Sequence, residues 1–190
     1  MRVLVAEDES IIRLGLKRML QALGHEVVTA VNGREALVMA RQQPPDLAIL
    51  DIKMPYTDGL QAAKALHKQR PLPILILTAF SEKDLIEQAA ELPIHGYLIK
   101  PIQPAELQAA IAVALKRFAE KEALTAETNR LTEKLAERKL VDKAKGRLMA
   151  QGMSEEAAYQ FLQKRARDGR ISLGQAAEQL LQVGGSHAHR

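Results

Sequence analysis

The runs "LAIL" (Leu47 to Leu50) and "ILIL" (Ile74 to Leu77) are apolar at every position. They lack the polar alternation of a strand that shows one face to water. Such runs belong to strands covered on both faces, which means a parallel sheet between helices. The same reading extends to "RVLVAED", "EVVTA" and "GYLIK". Between them lie helical patterns over Ser10 to Leu23 (with Ile11, Leu14, Leu16 and Met19 apolar), Arg34 to Arg41, Gly59 to Lys68 and Glu82 to Ala90. Five βα units predict a doubly wound α/β domain with a five-stranded parallel sheet. Ligand chemistry in such a sheet sits at the carboxyl ends of the strands.

Those ends carry an unusual set of side chains. Strand one closes on Glu7 and Asp8, strand three on Asp51, strand four on Thr78, and strand five on Lys100 followed by Pro101. A lone acid at a strand end is commonly just a loop residue. Five polar groups converging on one sheet edge are harder to dismiss. Clustered carboxylates repel one another, a cost tolerated when a cation sits among them. Three acids without thiolates or clustered histidines favour a hard, oxygen-loving ion such as Mg²⁺. A lysine and a hydroxyl facing the same place suggest a transferred phosphoryl group.

The pattern "AED", "LDIKMP", "LTA" and "YLIKP" resembles the receiver domain of two-component response regulators, a flavodoxin-like fold, over about 120 residues. The resemblance implies that Asp51 is the phosphoacceptor, taking its phosphoryl group from a phosphohistidine of a sensor histidine kinase. It implies Mg²⁺ held by Glu7, Asp8, Asp51 and the backbone carbonyl of Lys53. Lys100 then neutralises phosphoryl oxygens, and Thr78 and Tyr97 form the switch, the tyrosine turning inward as the hydroxyl swings toward the phosphoryl group. Lys100–Pro101 is expected to be cis. The acid pair is Glu-Asp, where Asp-Asp is commoner in that family. Phe80, two residues after Thr78, is expected to restrict water and slow dephosphorylation.

Beyond Pro104 the character changes. Ala105 to Lys145 contains neither Gly nor Pro and is rich in Ala, Leu, Glu, Lys and Arg, which predicts a long helix. Leu124, Thr128, Leu131 and Leu135 have the spacing of a short coiled-coil seam, and a solvated connector fits equally well. Two shorter helices follow. Ser154 with Glu155 and Glu156 is an N-cap signature, and Ser172 to Gln175 matches a capping box. Gly152 and Gly169 mark where the preceding helices stop. The tail from residue 184, with His187 and His189, offers no core residues and is expected to be disordered.

Charge divides the chain in the same place. Residues 1–120 hold 14 basic and 14 acidic side chains, whereas residues 121–190 hold 13 basic against 9 acidic, so the net +4 lies entirely in the C-terminal part. Lys139, Lys143, Lys145, Arg147, Lys164, Arg165, Arg167 and Arg170 form the surplus, with Tyr159 and Phe161 as the aromatics among them. From the residues alone, a helical dimerisation module and a nucleic acid binder fit equally well. A DNA-reading helix-turn-helix fits poorly, because the last helix, "SLGQAAEQLL", offers only Gln and Glu as long polar groups.

The segment Glu137 to Leu181, through "AKGRLM", "GMSEEAAY" and "RISLGQAAEQLL", resembles the ANTAR domain of AmiR- and NasR-type transcription antiterminators. That resemblance implies a three-helix module that binds RNA stem-loops in leader transcripts, and a homodimer promoted by phosphorylation. Lys143, Lys145, Arg147, Tyr159, Arg165 and Arg170 are the candidate RNA contacts. Arg165 and Arg167 stand where small or apolar residues are expected.

The expected organisation is a receiver over 1–118, a helical linker over 119–137, an ANTAR-type domain over 138–183 and a tail over 184–190. The expected function is a phosphorylation-controlled antiterminator, a regulator and not a metabolic enzyme. The alternative is a response regulator whose C-terminal helices dimerise or bind a protein partner without RNA. A hydrophobic content of 47% excludes disorder throughout, and the absence of cysteine excludes a disulfide scaffold and thiolate metal sites. No signal peptide or apolar run of membrane-spanning length is present, so a cytoplasmic protein without membrane contact is expected.

Overall fold

A computed structural model describes residues 1–79 and 92–183. The expected helix over 82–90, Phe80, and the tail with His187 and His189 lie outside the described residues. Two compact units emerge, Met1–Glu122 and a second beginning at Ala123. In the first, β1 (Arg2–Ala6), α1 (Ser10–Ala22), β2 (Glu26–Ala30), α2 (Gly33–Gln42), β3 (Leu47–Asp51), α3 (Gly59–Gln69), β4 (Ile74–Thr78) and β5 (Gly96–Ile99) follow in order. Helix α4 (Pro104–Ala150) begins in the first unit and ends in the second, which is completed by α5 (Glu155–Gly169) and α6 (Leu173–Val183).

The sheet is parallel throughout, in the order β2-β1-β3-β4-β5. The unbroken apolar strands have the cause read from the sequence: both faces are covered. Leu4, Ala6, Leu50, Ile74 and Ile76 pack with Ala36 of α2 and Ala62, Ala63 and Leu66 of α3. Their neighbours Val3, Val5, Ile49, Leu75 and Leu77 pack on the other face with Leu16 and Leu20 of α1 and Leu107, Ile111 and Ala114 of α4. Each buried leucine of this kind contributes about 1.5–3 kcal/mol relative to exposure. The edge strand β5 differs, since Leu98 alone is buried while Tyr97 and Ile99 are exposed. Because β1 lies between β2 and β3, the chain reverses its direction of winding there, and the crevice falls at the ends of β1 and β3.

In the second unit, Val141, Ala144 and Leu148 of α4 pack with Ala158 and Leu162 of α5 and Ala177 of α6. No break separates the predicted linker from the first helix of this unit, because α4 runs 47 residues with neither Gly nor Pro between Pro104 and Gly146. The local caps form as their sequences require. The Ser154 hydroxyl accepts from the Ala157 amide at 3.2 Å. Ser172 and Gln175 close a reciprocal box, at 2.9 Å from the Ser172 amide to Gln175 Oε1 and 3.1 Å from the Gln175 amide to Ser172 Oγ. Gly152 turns left-handed after α4, at φ 97°. After α5 the left-handed residue is Arg170, at φ 50°, and Gly169 is the last residue of the helix itself.

Candidate functional site

Asp51 is the last residue of β3 and Glu7 follows β1, so adjacent strand ends place their carboxylates side by side. Glu7 is fully buried and Asp51 nearly so, whereas Asp8 is exposed. Carboxylate oxygens of all three lie within 4.8 Å of one another. Lys100, just past β5, brings Nζ to 2.8 Å from Asp51 Oδ1 and 2.9 Å from Glu7 Oε2. The contact with Glu7 is a close charge pair to a buried carboxylate oxygen, and Glu7 Oε1 accepts from the Glu9 amide at 3.2 Å.

Burial pushes the Glu7 carboxyl above its usual range; Lys100 pulls it back in part, and the neighbouring Asp51 charge adds to the rise. Burial alone would lower the Lys100 ammonium, but hydrogen bonding and attraction to Asp51 and Glu7 outweigh it, so its pKa rises. Both shifts have one origin. Two buried carboxylates face the Lys100 ammonium, and their mutual repulsion favours a proton or a cation between them. Three carboxylates with oxygens within 4.8 Å of one another, two of them buried, fit a divalent cation with oxygen ligands.

Thr78 ends β4 and is buried, its hydroxyl donating to the Ala79 carbonyl at 3.0 Å. Tyr97, in register with Ile76, is 36% exposed on β5, and partial burial raises its phenol pKa. Lys53 is exposed and, with Asp8, Met54 and Asp58, lines a cleft of about 570 Å³ beside the acids. The Lys100–Pro101 bond is cis.

Three positioning residues were not legible as such in the sequence. Arg13 of α1 donates from Nη1 to the carbonyls of Glu7 at 2.7 Å and Asp8 at 3.0 Å, clamping the loop that carries both acids. Gly59 opens α3 against the end of β3, where a Cβ would collide with the Asp51 carbonyl oxygen. Gly33 does the same for α2, where a Cβ would lie 2.6 Å from the Thr57 carbonyl oxygen. An Asn-Gly or Asp-Gly pair at a helix start is a signal for the two glycines; nothing local marks Arg13.

The candidate RNA contacts divide into two groups. Arg147 is engaged within its own unit, where Nη1 donates to the Leu180 and Leu181 carbonyls at 3.2 and 3.1 Å. Lys145 pairs with Glu155 at 2.8 Å and Asp142 at 3.5 Å. Lys143 and Arg170 are exposed, Tyr159 is 40% exposed, and Arg165 is partly exposed. At the other end of α6, Glu137 Oε1 accepts from the Gly174 amide at 2.9 Å. Helix α4 therefore holds α6 by an acid at its amino end and a base at its carboxyl end, as the helix dipole favours.

The sequence matches the response regulator receiver domain over residues 3–112 and the ANTAR domain over residues 129–181. It is 43% identical over 187 residues to the transcriptional regulatory protein PdtaR of Mycobacterium tuberculosis, covering 97% of this chain and 91% of that protein. The probable transcriptional regulator ycf27 of Porphyra purpurea is 40% identical over 116 residues, which is 61% of this chain and 48% of that protein. A response regulator receiver domain protein from Clostridium thermocellum superposes with a TM-score of 0.58 at 32% identity, covering 65% of this chain and 98% of that one. Among the described residues, no helix is long and apolar enough to cross a membrane.

Proposed function

The chain belongs to the response regulators, joining a receiver domain to an ANTAR domain, and from that premise we propose a phosphorylation-controlled transcription antiterminator. The observation that carries this reading is the union in one chain of a receiver-type carboxylate site with an ANTAR match over residues 129–181. The printed name of the mycobacterial relative, a transcriptional regulatory protein, agrees with it.

In this reading an oxygen of Asp51 attacks the phosphorus of a kinase phosphohistidine. An oxygen–phosphorus bond forms, the nitrogen–phosphorus bond breaks, and the imidazole leaves with the electron pair. Glu7, Asp8, Asp51 and the Lys53 carbonyl hold Mg²⁺, which when bound offsets charge on the phosphoryl oxygens. Lys100, already 2.8 Å from Asp51, is placed to follow the phosphoryl group. Thr78 donates its hydroxyl to the same group, and Tyr97 moves inward from its exposed position. That change at β5 favours a homodimer, which presents two C-terminal modules to RNA hairpins of a leader transcript. Lys143, Tyr159, Arg165 and Arg170 are the accessible contacts on those modules.

The test is binding of full-length protein to a double-hairpin leader RNA, with and without acetyl phosphate and Mg²⁺, beside Asp51→Ala. Salt-sensitive binding that phosphorylation strengthens, and that Asp51→Ala does not gain, supports the reading. Absence of binding in both states, across several hairpin sequences, would favour the protein-contact alternative, to which the exposed Leu124, Leu131 and Leu135 lend support.

A further inference from the structure

The core of the second unit does not use Phe161. Helix α5 turns Ala158 and Leu162 inward at no exposure, while Phe161 remains 40% exposed. Phe161, Lys164, Arg165 and Asp168 have the spacing i, i+3, i+4, i+7 and so form one stripe along α5. The stripe borders an open pocket of about 490 Å³, closed by Ile171 and, from α6, Gln179. Asp168 stands within a turn of both cations. Among the described residues, none of the three side chains makes an ion pair or hydrogen bond, in contrast with Lys145 and Arg147.

A bare anion site has no use for an exposed ring or for a carboxylate. A purely apolar docking groove has no use for two unpaired cations. An aromatic face beside two cations, with an acid and an amide at hand, meets all the requirements of a nucleotide. The ring stacks a base, the cations take its phosphates, and the acid and amide meet N–H and carbonyl groups on the base edge. We infer that this pocket receives one unpaired base of an RNA hairpin loop, stacked on Phe161, with Lys164 and Arg165 on the flanking phosphates and Asp168 and Gln179 at the base edge. The inference rests on the RNA-binding reading above and adds the site and the part of the RNA that enters it. It also gives Arg165, which stands where a small or apolar residue was expected, a position beside the ligand.

The experiment uses full-length protein with acetyl phosphate and Mg²⁺ and two probes. One is a pool of double-hairpin RNAs with randomised loops; the other has the same stems closed by non-nucleotide linkers. The expected result is that Phe161→Leu weakens binding of the looped pool about ten-fold while leaving the linker-closed stems unchanged. Phe161→Tyr, which keeps the ring, retains affinity. Gln179→Ala, at an exposed position that does not threaten folding, weakens the looped pool alone. Lys164→Gln and Arg165→Gln each reduce the salt slope by about one. Wild-type binding of the looped pool with Phe161→Leu and Gln179→Ala equal to wild type overturns the pocket and leaves RNA binding standing. Failure of the wild type to bind either probe overturns both. Loss of dimer by Phe161→Leu at unchanged RNA affinity assigns the pocket to a second copy of the chain and overturns the inference.

Discussion

In the first unit Lys100 is largely buried, with its ammonium 2.8 Å from Asp51 and 2.9 Å from Glu7. In the second unit Lys164 and Arg165 stand beside Phe161, and among the described residues neither pairs with an acid. The former charges are set at the ends of three different strands, where a displacement of one strand would part them. The latter are neighbours on one turn of one helix, where spacing alone aligns them with Phe161 a turn earlier. Charge out of water must be placed by a rigid scaffold, because the desolvation cost is offset only by close geometry. Charge in water needs only a helix to display it, and it acts when a polyanion arrives.

Substitutions can break this contrast, and the largest effect is expected at the buried site. Asp51→Ala removes the carboxylate that accepts the phosphoryl group in the proposed reading, so intact-mass measurement after acetyl phosphate and Mg²⁺ should show no phosphorylated protein. Gly59→Ala comes next. Its Cβ meets the Asp51 backbone, and overpacking of that kind costs about 3 kcal/mol. Urea unfolding followed by a probe in the first unit should show it, and an unchanged midpoint would mean that α3 can shift away from β3.

Arg147→Met sharpens the contrast within the second unit, since this cation is structural while Lys143, a turn earlier, is displayed. Loss of its hydrogen bonds to Leu180 and Leu181 should destabilise that unit by about 1–2 kcal/mol in thermal unfolding. Lys143→Met, at an exposed position on the same helix, should leave stability unaltered. Gly146→Ala has the opposite sign from Gly59→Ala. Nothing lies within 4 Å of its Cβ position, so replacing glycine inside α4 should stabilise the unit by about 0.5–1 kcal/mol.

The smallest effect is a pH slope. His95 is buried, accepts the Ile74 amide at Nδ1 at 3.1 Å, and stacks edge-on against Phe118. Burial holds its pKa below the ordinary 6.5, assisted by the charges of Lys121, His67 and Arg117. The unfolded imidazole takes up a proton near its ordinary pKa, and the folded one only at lower pH. Its contribution to stability is therefore complete above about pH 6.5 and is lost as pH falls through the folded value. Melting temperatures of wild type should fall more steeply than those of His95→Gln between neutral pH and pH 5.5. Parallel slopes would place the acid sensitivity elsewhere.

How much of this was legible in the sequence depends on how far apart the interacting residues lie. The parallel sheet could be read because "LAIL" and "ILIL" report the burial of their own strands. The carboxylate edge could be read because strand direction in a parallel sheet carries every strand end to the same side. The capping groups of α5 and of the Ser172–Gln175 box lie three residues from their partners, so the local pattern specified them. The continuity of α4 into the C-terminal domain was less legible, since a Gly/Pro-free run marks a helix without marking where a domain begins.

The amino-acid sequence by itself determined the fold class, the set of groups at the sheet edge and the helix caps, because each rests on periodicity or on neighbours one turn away. Only the tertiary structure decided that Arg13 clamps the carbonyls of Glu7 and Asp8, that Gly59 leaves room for the Asp51 backbone, and that Glu137 and Arg147 hold the two ends of α6. It also divided the C-terminal cations into those that hold the fold and those left in water. A basic side chain looks the same in sequence whether it ends on a carbonyl or in water. The difference lies in which distant backbone group the folded chain brings within about 3 Å, and local spacing carries no record of that.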